Sequence, residues 1–213
     1  VTAIDTAAAD TAEIVRSFID RAKGILAGHH PANMLLLRGF STRPGFPAMS
    51  GVYRLNPAAI ATYPMYRGLA RLVGMDVLKT GSSIKDELEA LRDSYSGYDF
   101  FFIHIKGTDS AGEDGDFERK VRVIEDLDRY IPELMANRPD VLVVTGDHST
   151  PAILKGHSWH PLPLLLYSKW CRPDRAMEFG ETACSSGGLG HFHATSIMPL
   201  AMAHALKLAK FGA

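Results

Sequence analysis

Three stretches of this chain have almost no polar face, and they restrict the fold more than any other feature. They are Tyr98–Ile105 (YDFFFIHI), Asp140–Thr145 (DVLVVT) and Leu162–Tyr167 (LPLLLY). A strand with one wet side alternates polar and apolar residues, whereas a strand covered on both sides loses the alternation. Helical patterns separate such runs. Residues 117–136 form an amphipathic helix, 83–95 another, and 8–27 a third, with Ile14, Val15, Phe18, Ile19, Ala22 and Ile25 at helical spacing and Asp10 or Thr11 as its cap. Residues 58–73, with an early Pro64, and 194–210 also read as helices. Met34–Leu37 reads as a short buried strand that ends in a turn at Arg38-Gly39. The pattern predicts an α/β fold: a mainly parallel sheet covered by helices on both faces.

Residues 40–56 collect Pro44, Gly45, Pro47, Gly51 and Asn56, which marks a loop or hinge. The predicted division is therefore 1–56 and 57–213. The composition supplies a core for this: 46% of the 213 residues are hydrophobic and 22% are charged. Lys and Arg number 23 against 24 for Asp and Glu, so no basic excess points to nucleic acid or an anionic membrane as the partner. No apolar run reaches the roughly 18 residues of a membrane span. Two cysteines, Cys171 and Cys184, make no disulfide framework and favour a reducing, cytoplasmic setting.

Ligands in open α/β sheets collect beyond the carboxyl ends of the strands. Three polar stretches fall there. Lys106–Asp116 (KGTDSAGEDGD) follows the first apolar run, Thr145–Pro151 (TGDHSTP) follows the second, and Lys155–Pro161 (KGHSWHP) precedes the third. Each alone reads as an ordinary turn with surface side chains. Together they concentrate Asp109, Glu113, Asp147, His148 and His157. Carboxylate oxygens with imidazole nitrogens suit Mn²⁺, Mg²⁺, Co²⁺ or Zn²⁺. Asp147 and His148 point apart if the chain is extended, so they serve two ions or, from a bent loop, one. Asp114 and Asp116 are placed to cap and charge the start of helix 117–136. Gly187–His193 (GGLGHFH) reads as a loop rather than a phosphate cradle, and Cys184 as an idle thiol.

At these segments the sequence resembles the archaeal-type, cofactor-independent (2,3-bisphosphoglycerate-independent) phosphoglycerate mutases of the alkaline phosphatase superfamily. The resembling stretches are His104–Val121, Val144–Pro151, Gly156–Leu166 and Gly187–Leu200, with Leu35–Gly39 and Tyr63–Met75 upstream. The resemblance implies an alkaline phosphatase-like core in residues 57–213, joined to part of an inserted α/β substrate domain, the lid, ending within 1–56. It implies interconversion of 2-phosphoglycerate and 3-phosphoglycerate through a phosphoserine at a two-metal site. One ion would take Asp109, Glu113 and His157, the other Asp147 and His148. Arg38 and Arg67 would grip the small phosphorylated acid, since arginine forms bidentate pairs with carboxylate and phosphate.

Two departures from the family pattern stand out. Glu113 occupies the place of a family histidine and brings a negative charge to the site. The resemblance also covers the family's C-terminal half, so the nucleophilic serine is expected N-terminal to this chain, and Ser149 is expected only to brace its loop. The competing expectations are a metal-dependent phosphatase or phosphodiesterase with the same metal frame, and a non-catalytic half-enzyme prone to self-association.

Overall fold

Pro57–Ala61 (β1), which the pattern assigns to the start of a helix, is the middle strand of a parallel sheet. The computed structural model describes residues 1–209. In it β1 pairs with Asp76–Val77 (β2) on one side and Phe100–His104 (β3) on the other, both parallel. The expected helix 58–73 is thus split into β1 and Pro64–Leu72 (α3), where Pro64 sits in the first turn and its missing N–H breaks no helical bond. Alanine favours helix locally. Here tertiary pairing overrides it: Ala58, Ala59, Ile60 and Ala61 are each 0% exposed, and small side chains let helices approach closely.

The remaining helices are Ala9–Leu26 (α1), Met49–Tyr53 (α2), Ile84–Ser94 (α4), Gly107–Asp114 (α5), Phe117–Ala136 (α6), Glu181–Cys184 (α7) and Ile197–His204 (α8). The sheet is covered on both faces, and the alternation of β3 shows how. Phe101 and Ile103 join Ile60 against Leu88 and Leu91 of α4 and Tyr130 and Leu134 of α6. Phe102 and His104 face Tyr66 of α3, with ring centroids 6.3 and 3.7 Å away. Phe100 packs on a cluster of Met49, Leu55 and Met202, from α2, the segment after it, and α8.

Several expectations are corrected. The third apolar run does form a strand, Leu165–Ser168 (β5), but it runs antiparallel to Val141–Val144 (β4), pairing Val141 with Ser168 and Val144 with Leu165. A parallel return needs a crossover, usually a helix, and the residues between β4 and β5 form turns and no helix. Met34–Leu37 is not a buried strand; Leu36 is 95% exposed, and the run makes no strand pairing among the described residues. The expected loop 40–56 contains α2. The cap before α1 is neither Asp10 nor Thr11: Asp5 accepts from the Ala8 N–H at 2.9 Å and caps a short 3₁₀ turn leading into the helix. The C-terminal helix ends at His204, and Lys210, the last residue assigned to it from sequence, lies outside the described residues.

The chain forms two compact units, Val1–Gly45 and the part from Phe46 onward. In the first, α1 buries Ala12 and Val15, while Ile14, Phe18 and Ile25 of the same apolar stripe are exposed. In the second, Glu87 of α4 is 3% exposed and pairs with no cation among the described residues. Burial, with the charge of Asp86 adding to it, pushes Glu87 from 4.5 up to about 7. The folded state therefore binds this proton more tightly than the unfolded chain does. The associated stability is full below 4.5 and is lost as pH rises to about 7. The loss is on the order of 3 kcal/mol. Glu87→Gln is expected to flatten this dependence and to melt above the parent at pH 8, as measured by thermal melts at pH 5 and pH 8; equal pH dependence in the two proteins would contradict the assignment.

Candidate metal centre

Gly107–Asp114, read from sequence as a loop, is the helix that builds the site. Asp and Gly disfavour helix, so packing must hold it. Ala111 is fully buried. A Cβ on Gly107 would come within 3.0 Å of Val123 of α6, and one on Gly112 within 2.2 Å of the Thr150 carbonyl oxygen. These glycines let α5 lie directly on α6 and on the loop after β4. Gly115, at φ +74°, ends α5 in the left-handed conformation that glycine adopts freely. Asp116 then caps α6 through the Arg119 N–H at 2.9 Å, as its position suggested, while Asp114 pairs with the Arg119 guanidinium at 2.7 Å.

This packing brings the predicted ligands together. Asp109, in the first turn of α5, lies with Oδ1 3.8 Å from His148 Nδ1 and 3.7 Å from His157 Nε2. One ligand atom from each of these three residues falls within 4.8 Å of the others. The two imidazole rings lie with centroids 3.8 Å apart, tilted by 31° to each other. Glu113, one turn after Asp109, is 3.8 Å from His157 Nε2, and Asp147 Oδ2 is 3.5 Å from His148 Nε2. His148, which the resemblance gives to a second ion, stands beside Asp109 and His157, with Glu113 and Asp147 flanking the group. The bent loop after β4 and the bridge between Ser149 and Ser158 bring the two histidine loops side by side.

Asp109 is the best enclosed of the five, with 13% of its side chain exposed. Burial alone would raise its pKa. The hydrogen bonds from Lys106 and from the Thr150 hydroxyl at 2.7 Å outweigh that and hold the carboxyl below its ordinary value. It is therefore an anion at neutral pH. Thr150 also lies 3.0 Å from His148 Nδ1, so one hydroxyl ties the carboxylate to the imidazole. Thr150 itself is 3% exposed, and its carbonyl accepts from Lys120 Nζ at 2.7 Å. His104, at the end of β3, is held below its usual pKa, first by burial and then by the charge of Lys106.

Sequence reasoning named the segments holding Lys106 and Thr150 but gave neither a role. The available signals were the three-residue spacing from Lys106 to Asp109, which suits one helical turn, and a hydroxyl two residues after His148. Of the two arginines, Arg38 lies exposed in an irregular segment of the first unit. Arg67, in α3, has a buried Nε with no hydrogen-bond partner among the described residues. Gly187–Gly190 is a turn in which the Gly188 N–H binds Asp174 at 2.7 Å, and Cys184 is a free thiol.

The donor set fits a divalent cation. Oxygen and nitrogen ligands sit about 2.0–2.2 Å from such an ion, so two ligands of one ion stand about 3–4 Å apart. The 3.7 Å between Asp109 Oδ1 and His157 Nε2 falls in that range, while the Thr150 hydroxyl, which donates to Asp109, accepts from His148 Nδ1 and leaves Nε2 of His148 as its free ligand atom.

Comparison with known proteins agrees with this chemistry. Residues 12–204 match the Metalloenzyme superfamily. A Thermotoga maritima protein named "Probable 2,3-bisphosphoglycerate-independent phosphoglycerate mutase" is 50% identical over 210 residues, which are 99% of this chain and 52% of that protein. A Pyrococcus horikoshii protein of known structure superposes with a TM-score of 0.86 at 31% identity, covering 96% of this chain and 59% of that one. The cofactor-independent phosphoglycerate mutase of Thermoplasma acidophilum gives 0.66 at 29% identity, covering 92% of this chain and 52% of that one. The chain spans about half the length of the curated relatives it matches.

Proposed function

Since the chain belongs to the Metalloenzyme superfamily, we propose that it supplies the metal-binding residues of a phosphoglycerate mutase, which moves phosphate between the 2- and 3-hydroxyls of glycerate with two divalent ions at its nucleophile. In this reading residues 57–213 are the metal-bearing core and 1–56 the end of the substrate-binding insertion. The nucleophilic serine belongs to the other half of the enzyme. Free thiols at Cys171 and Cys184 suit a cytosolic setting. The observation that carries the reading is the meeting of Asp109, His148 and His157, from α5 and two separate loops, with Glu113 and Asp147 beside them.

When bound, such ions supply positive charge that stabilises a phosphoryl group in transit and lowers the pKa of a coordinated hydroxyl. This chain's own residues prepare for that. Asp109 is kept ionised by Lys106 and Thr150. His148 is fixed against Thr150, which orients its ring. Arg67 keeps a buried, unmatched donor among the described residues, which suits a residue meant for an anionic ligand. Glu113 adds negative charge that favours ions over phosphate.

The test is titration calorimetry of the chain with Mn²⁺, then with 3-phosphoglycerate. The ion is expected to bind first, and 3-phosphoglycerate only to the ion-loaded chain. Arg67→Ala is expected to weaken the acid by about tenfold or more and to leave ion binding unchanged, since a charge-assisted hydrogen bond is worth about 1.5–3 kcal/mol. If 3-phosphoglycerate binds no better than inorganic phosphate, the mutase reading gives way to a phosphatase-type site.

A further inference from the structure

The two carboxylate oxygens of Asp109 have different partners. Oδ1 accepts from Thr150 at 2.7 Å and faces both imidazoles, 3.8 and 3.7 Å away. Oδ2 is taken by the Lys106 ammonium. Lys106 immediately precedes α5, one helical turn before Asp109, and its Nζ lies 4.8 Å from the centre of the Tyr63 ring. Its side chain is 25% exposed, so the ammonium is confined between a carboxylate and an aromatic face. A carboxylate that is free to turn can give an ion one oxygen or both. Asp109 is not free to turn.

We propose that Lys106 is a positioning residue that makes Asp109 a one-oxygen ligand: by holding Oδ2 it directs Oδ1 between His148 and His157. This rests on the metal-centre reading above. A cation next to a dication also has a direct electrostatic effect. It lowers the affinity for the ion, so the residue trades tightness for a fixed coordination mode. That leaves one position beside Asp109 for a further ligand, in place of a second carboxylate oxygen.

Removing Lys106 therefore changes two things in one direction: the repulsion disappears and the second oxygen becomes available. Co²⁺ is the probe, because its visible bands weaken as coordination number rises. With Lys106→Met, the chain is expected to bind Co²⁺ about tenfold more tightly, with weaker and shifted bands. Lys106→Arg, which can still hold Oδ2, is expected to restore the parent spectrum. Identical spectra for the parent chain and Lys106→Met overturn the proposal and leave the metal centre standing. No Co²⁺ binding by the parent chain overturns both. If Lys106→Met does not fold, Tyr63→Leu loosens the same ammonium from an exposed ring and is expected to weaken the bands in the same direction; an unchanged spectrum there also overturns the proposal.

Discussion

Asp109→Asn is expected to cut Mn²⁺ affinity at least about hundredfold, a larger effect than any other single change at the site. Loss of an outer partner alone costs about 10–100-fold in metal sites, and Asp109 is the residue on which the others converge. Its Oδ1 stands 3.8 Å from His148 Nδ1 and 3.7 Å from His157 Nε2, and it is the least exposed of the five candidates. Asparagine keeps the shape and an acceptor for Thr150 but removes the charge that faces the imidazoles. The fold should lose little more than the Lys106 ion pair, about 1–3 kcal/mol. Calorimetric titration together with a thermal melt separates the two effects. Near-parental Mn²⁺ affinity in a folded Asp109→Asn chain would remove Asp109 from the centre and with it the metal reading.

Gly112→Val is expected to disable the same centre without touching a ligand. A Cβ at this position falls 2.2 Å from the Thr150 carbonyl oxygen and 3.0 Å from its methyl carbon. The obstacle is backbone, so no rotamer change relieves it; either α5 or the loop after β4 must move. Overpacking of this kind costs about 1–3 kcal/mol and sometimes more. For a chain of this size that lowers the melting temperature by roughly 2–4 °C per kcal/mol. The displaced loop carries Thr150, which braces Asp109 at 2.7 Å and His148 at 3.0 Å, so Mn²⁺ affinity should fall together with the melting temperature. Gly51, with nothing near its missing Cβ, is the control position. A Gly112→Val chain as stable as its parent, with ion binding intact, would show that the close approach of α5 to Thr150 is not what sets the site.

The contrast between α5 and β3 shows what could be read from residues alone. Phe100–His104 was legible as a strand because five residues without a polar face leave few other options in a chain of this composition. Gly107–Asp114 was not legible as a helix, because Gly and Asp favour turns on every local scale. It is helical because its glycines fit against Val123 and Thr150, contacts that exist only once the sheet has formed. Pro57–Ala61 follows the same logic in reverse: alanine propensity points to helix, and hydrogen bonding on both edges makes it the central strand. The antiparallel return of β5 likewise depended on the path of the connection and not on the composition of the strand.

The candidate ligands were legible for a chemical reason. Only Asp, Glu and His among the residues in those loops donate well to a hard or borderline cation, and they cluster after apolar runs where open sheets place ligands. That much follows from residue type and order, because donor chemistry and strand burial are written in side chains. Distance is not written there. That both imidazoles stand beside Asp109, that a lysine and a threonine divide its two oxygens, and that a glycine lets the helix come close enough, were decided by packing between segments far apart in the chain.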